Sequence, residues 1–127
     1  MLRIIVAGGR NFEDYTQLHT ELTAYIAELC PTCQCDEVAI VSGAAAGADT
    51  LGARYAFLNH MPVHVYPAEW DVFGKQAGFR RNRVMAENAD ALLAFWDGNS
   101  KGTKNMIELM ADRPHKVIYY PANKAAP

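Results

Sequence analysis

Four short stretches concentrate the residue types that hold anions. They are Gly8-Gly9-Arg10, Ser42-Gly43 leading to Gly47-Ala48-Asp49, Phe79-Arg80-Arg81-Asn82-Arg83, and the run from Gly98 through Ser100, Lys101 and Gly102 to Thr103. Glycine lets a chain turn sharply and brings backbone N–H groups near a ligand, while an arginine fork matches phosphate or carboxylate oxygens. Between Val41 and Gly52 the only large polar side chain is Asp49. Bare chain of that kind suits a phosphate cradle at a helix start, with Asp49 either capping the helix or meeting a ribose hydroxyl. Arg81 and Asn82 are the expected polar ligand contacts, with Arg80 read as surface. Their expected place at a helix start sets positive charge against the dipole, an arrangement that a bound anion relieves. Lys101 and Lys104 add charge beside Gly102 and Thr103, where Thr103 doubles as a helix cap. Trp70, with Phe73 nearby, either stacks on a base or covers the sheet edge.

Other chemistries find no pattern. The chain has no G-x-x-x-x-G-K-[ST] loop, and its first strand runs into GGRNF rather than G-x-G-x-x-G. His19, His60, His64 and His115 are scattered, and no Ser–His–Asp set stands out. The three cysteines crowd into CPTCQC, as Cys30, Cys33 and Cys35, without a second C-x-x-C or an H-x-x-x-H to complete a zinc site. They follow a helix end, where no dipole favours a thiolate, so they read as reduced loop thiols. Neither metal nor cofactor is expected.

These residues must be positioned by elements that alternate. Apolar runs at Leu2–Ala7, Val38–Val41, Val63–Tyr66, Ala91–Trp96 and Lys116–Tyr120 predict five strands. Helical spacing predicts helices over Asp14–Leu29, Asp49–Asn59, Phe79–Asn88 and Thr103–Asp112, with PAEWDVFGKQAG irregular between them. The expectation is one α/β domain over residues 1–121: a Rossmann-like, doubly wound, mostly parallel five-stranded sheet with helices on both faces. The ends of strands one, two and four carry three of the four anion-binding stretches, on the side where such sheets bind ligands. Residues 122–127, ANKAAP, read as a frayed tail.

Composition narrows the partners. The chain has 127 residues, half of them hydrophobic and a fifth charged, with a formal charge of −2. No basic field covers the whole surface, so nucleic acid is disfavoured as a partner. Nothing resembles a signal peptide and no apolar run is long enough to span a bilayer, which predicts a cytoplasmic protein without membrane contact.

The segments IIVAGGRNF, SGAAAGAD, YPAEWDVFGKQAGFRRNRVM, ADALLAFWDG and KGT follow one another from Ile4 to Thr103. In that order they resemble the YspA-like branch of the SLOG superfamily, often encoded by phages and mobile elements. The superfamily also holds the Lonely-guy phosphoribohydrolases and the DNA-processing Smf proteins. The resemblance implies a Rossmann-like fold, a site for nucleotides or nucleotide-derived ligands, a link to signalling nucleotides, and the option of a homo-oligomer. Phosphoribohydrolases carry R-K-x-x-M and P-G-G-x-G-T-x-x-E. Arg81 falls on the first pattern, but the glutamate position holds Met106, which neither gives nor takes a proton. Glu108 is two residues on, roughly 200° further round a helix. Relatives often read S-G-G-A-R-G-A-D, where this chain has Ala44 and Ala46 for the second glycine and the arginine.

Together these features predict a binder of a small phosphate-bearing nucleotide, acting as sensor, carrier or sequestering protein. An N-glycoside- or phosphate-cleaving enzyme is the alternative, using Arg81 with Asp49, Glu69, Asp71 or Glu108. Binding of single-stranded DNA through Arg80, Arg81, Arg83, Lys101 and Lys104 ranks third.

Overall fold

The computed structural model describes residues 1–121; the tail expected to fray, 122–127, lies outside the described residues. Strand β1 (Leu2–Gly8) is a continuous apolar run because the sheet buries it on both faces. Helix α1 (Tyr15–Leu29) starts where the Asp14 side chain accepts from Gln17 N–H at 3.0 Å, and it buries Leu18, Leu22 and Tyr25. There follow β2 (Val38–Ser42), α2 (Ala48–Leu58), β3 (Val63–Val65), α3 (Trp70–Phe73), a 3-10 turn (Gly74–Gln76), α4 (Ala77–Glu87), β4 (Ala91–Trp96), α5 (Lys101–Leu109) and β5 (His115–Tyr119).

All five strands are parallel, in the order β3-β2-β1-β4-β5. The expected doubly wound sheet is therefore present. Alternate residues of β1 feed two cores. Ile4 and Val6 pack with Leu18, Leu22 and Tyr55 under α1 and α2. Ile5 and Ala7 pack with Met85, Met106 and Met110 under α4 and α5. The strand order reverses between β1 and β4, which opens a crevice at their carboxyl ends.

Three local expectations are corrected. The stretch PAEWDVFGKQAG is not wholly irregular: α3 and the 3-10 turn, which begins at Gly74 with φ 57°, occupy much of it. Helix α4 starts at Ala77 rather than Phe79, because the 3-10 turn feeds straight into it and Ala77 is buried. Arg81 and Arg83 thus lie beyond its first turn and Arg80 at the end of it, where the dipole is fading. Ser100, not Thr103, caps α5, accepting from Thr103 N–H at 3.4 Å, while Thr103 is buried.

The thiol expectation is corrected too. Cys30 and Cys33 form a disulfide and Cys35 is free and exposed. Cys30 ends α1 and the chain turns at once, with Cys33 N–H donating to Cys30 O at 3.2 Å, which brings the two side chains together. Among the described residues no helix is long and apolar enough to cross a membrane.

Candidate functional site

The bare loops after β1 and β2 are pressed against each other. Gly9 O accepts from Ala48 N–H at 3.3 Å, so the first amide of α2 is spent on the neighbouring loop. A Cβ on Gly47 would stand 2.2 Å from Gly9 O, and one on Gly8 would stand 2.5 Å from Phe95 O. Gly52 meets Val6 at 2.7 Å in the same way. Ser42 Oγ donates to Asp49 O at 3.0 Å and accepts from Ala44 N–H at 3.2 Å. Glycine in this half of the site therefore serves contact between chain and chain.

Asp49 is 6% exposed at the first turn of α2. Burial pushes its pKa up to about 6, against the pull of Arg81 and of the backbone N–H groups of Ala45 and Gly43. Those amides face the Asp49 carboxylate. Arg81 projects from α4 toward the same place. Its Nη1 donates to Gly43 O and, at 3.4 Å, to Tyr66 O, while Nε donates to Asn82 Oδ1 at 2.9 Å. A Cβ on Gly43 would stand 2.5 Å from Arg81 Nη1 and 2.7 Å from Asp49 Oδ2. Gly43 is the gap the two charged groups share. Burial lowers the Arg81 pKa, Asp49 raises it, and Arg10 lowers it again, so two cations stand close enough to feel each other.

The crevice between β1 and β4 is a cleft of about 320 Å³. Of the residues expected at the site, it brings together Gly8, Arg10, Asp49, Trp70, Arg81, Asn82, Gly102 and Thr103. Arg10, Lys75 and Arg81 come from the loop after β1, the 3-10 turn and α4, and among the described residues Asp49 is the only carboxylate on the walls. The cleft is thus net positive. Trp70 and Phe79, each about half exposed, offer flat aromatic surface at its edge. Met106 lies in the wall, 1% exposed.

Gly9, Ser42, Gly43 and Gly47 do not line the cleft; they hold the loops that shape it. Asn82 lines it with its polar atoms already committed. Its Nδ2 donates to Gly102 O at 3.2 Å and Asn105 Oδ1 at 3.0 Å, tying α4 to α5. Gly98 lies apart at φ 87°, with open space where a Cβ would be. Lys101, Lys104 and Glu108 line a neighbouring shallow trough of about 230 Å³, which meets the cleft at Phe79. Lys75 and Phe79 were missing from the expected site. Phe79 shares a face of α4 with Asn82, a signal hidden because α4 was expected to start later, whereas Lys75 comes from the 3-10 turn before it. No group of three or more His, Cys, Asp or Glu able to hold a metal occurs among the described residues.

A parallel sheet with a cationic cleft where its strand order reverses defines an α/β protein of the doubly wound kind. The chain belongs to the YspA, cpYpsA-related SLOG family, whose family model matches residues 2–73. Comparison with curated proteins gave no match. Two solved structures are similar in fold. DNA processing protein A from Helicobacter pylori, described for its unique single-stranded DNA binding mode, has a TM-score of 0.64 at 19% identity over 97% of this chain and 67% of its own. DNA processing protein A (DprA) from Streptococcus pneumoniae has a TM-score of 0.66 at 19% identity over 99% of this chain and 52% of its own. This chain thus spans about two thirds of the first and about half of the second.

These neighbours correct one expectation. Nucleic acid was disfavoured as a partner on net charge, yet both neighbours are DNA-processing proteins and one is described as binding single strands. A charge of −2 is an average over the surface. Here the cations gather locally, as Arg10, Lys75 and Arg81 in the cleft and Lys101 and Lys104 in the trough beside it.

Proposed function

We propose that this chain binds a phosphate-bearing nucleotide or nucleotide-derived ligand in the cleft between β1 and β4, as a sensor, carrier or sequestering protein. One observation carries the reading: cations from three elements converge on a cavity whose walls hold a single carboxylate. A cavity of about 320 Å³ lies within the size range of small-molecule sites. Among the described residues neither Arg10 nor Lys75 is tied in an ion pair, and Arg81 turns Nη2 toward Gly78 and Trp70 while its other nitrogens stay tethered. Phosphate oxygens then meet Arg10, Lys75 and Arg81 Nη2, with Trp70 or Phe79 against the base. Turnover is left out of the reading, because Met106 replaces the proton-transferring glutamate and Glu108 lines the trough instead.

Isothermal titration against mono-, di- and cyclic nucleotides and ADP-ribose tests this. One ligand class is expected to bind with one site per chain, and Arg10→Ala weakens it about tenfold or more, the loss of one charge-assisted contact. Silence across the panel rejects the reading.

A second reading, single-stranded DNA, is favoured by the trough that continues the cleft past Phe79 to Lys101 and Lys104. It is also what the Helicobacter pylori neighbour is described as binding. Oligonucleotide titrations over a salt series separate the two. A strand held along cleft and trough binds more tightly as it lengthens and weakens steeply with salt, whereas a nucleotide confined to the cleft gains nothing from added length.

A further inference from the structure

Behind Arg81 lies a second cavity, larger than the first, that the nucleotide reading does not use. It measures about 540 Å³ and sits between the sheet edge at β3, α3 and the outer side of α4. Its walls are apolar: Val65, Pro67, Phe73, Ala77 and Val84, beside Tyr66. Val65 is 51% exposed and Val84 43%, so both are open to a visitor. At the rim stand Arg80 and Arg83 against one carboxylate, Glu69. Among the described residues neither arginine forms an ion pair. The Arg80 guanidinium is instead held 4.3 Å above the centre of the Phe73 ring.

We propose that this cavity is a second small-molecule site, for a ligand that joins a flat ring or short acyl chain to one anionic group. The volume falls in the small-molecule range, and apolar walls with a few polar groups at the mouth are what such sites have. Charge complementarity decides the class. Burying an apolar body covers Val65, Val84 and Phe73, and the acid group reaches Arg83 or Arg80 at the rim, where an arginine fork suits a carboxylate, phosphate or sulfonate. The site does not depend on the nucleotide reading. The two cavities share a wall in Arg81, whose head is tied to Gly43 O and Tyr66 O.

Anilinonaphthalene sulfonate has this chemistry, an aromatic body with one anion, and its fluorescence reports burial. Titrated into the whole chain, it binds with one saturable site. Val84→Glu, a change at an exposed helix position, lowers affinity at least about tenfold, and Arg83→Ala lowers it severalfold. Arg10→Ala, which alters only the other cavity, leaves it unchanged. Sedimentation runs alongside. Absence of binding overturns the proposal, as does binding that survives Val84→Glu or adds several weak equivalents per chain. So does a dimer that excludes the dye and dissociates on Val84→Glu, because a second copy then covers this face.

Discussion

Two glycine-bearing loops of this fold look alike on paper and work in opposite ways. In the loop from Ser42 to Gly47, the space a side chain would need is already filled: by Arg81 and Asp49 at Gly43, and by Gly9 and Arg10 at Gly47. In the stretch from Gly98 to Thr103, neither Gly98 nor Gly102 has any atom within 4 Å of a Cβ position. The first loop is bare so that chain can lie on chain. The second is bare toward the solvent and, at Gly102, toward the cleft. Composition does not separate these uses, because both remove a side chain; what differs is whether protein or open space takes its place. The packed loops act as a frame, and Arg10 and Arg81, which pack against them, line the cleft from it.

The contrast is strongest at Gly47. Its φ of 81° is one that L side chains rarely adopt, and the atom a Cβ would strike, Gly9 O, is backbone that cannot swing away. Gly47→Ala is expected to cost about 3 kcal/mol, a fall in Tm of roughly 10 °C for a domain of this size. Urea unfolding measures it. A cost below about 1 kcal/mol means that the two loops are not pressed together, and the contrast fails.

Asp49 sits on the border, framed by packed amides yet open to the cleft, and its titration reads out that position. The carboxyl ionises near its ordinary 3.8 in the unfolded chain and near 6 in the folded one. Below both values it is protonated in both states and opposes nothing. Between them the unfolded chain loses the proton first, so stability falls as pH rises. Above the folded value the loss is complete, at about 3 kcal/mol. Asp49→Asn is accordingly expected to stabilise the fold at pH 7 by about 2 kcal/mol, with the advantage fading toward pH 4. Chemical denaturation across that pH range tests it. If Asp49→Asn destabilises at pH 7, the amides of Gly43 and Ala45 require a full negative charge, and Asp49 belongs wholly to the frame.

Much of this was legible beforehand, for physical reasons that vary with the element. Strands β1 and β4 are buried on both faces, so unbroken apolar runs announce them. Asp14 marks the start of α1 and Pro31 follows its end. Arg10 and Arg81 could be nominated because strand ends and the FRRNR cluster are local features. Lys75 could not, since it reaches the cleft from a short 3-10 turn with no periodicity to read. Asn82 lines the cleft, but its amide is spent on Gly102 and Asn105, a partnership that only tertiary contact reveals. The role of Gly43 was hidden for the same reason: it faces Arg81, 38 residues away. The cation clustering that net charge concealed is likewise a matter of where the loops converge.

Smaller substitutions sharpen the contrast by carrying opposite expectations. Gly102 lies in the first turn of α5 with open space around its Cβ position, so Gly102→Ala gains helix propensity and stabilises by about 0.5 kcal/mol. If it instead costs stability, that stretch is not open. In the packed loop the reverse exchange is the informative one. Ala44 stands at φ 64°, a left-handed conformation costly for alanine, with its N–H held by Ser42 Oγ. Ala44→Gly relieves that strain, about 1 kcal/mol, but frees the unfolded chain by a comparable amount. The net gain expected is under about 0.5 kcal/mol, the smallest effect of the series. Ala44→Val carries no such offset and adds a β-branched side chain at positive φ, so it is expected to cost more than about 1 kcal/mol. Thermal melts of the two variants side by side decide whether Ser42 and Asp49 hold this loop in a strained shape. Equal melting temperatures for glycine and valine at position 44 mean that the loop relaxes freely and cannot serve as a frame.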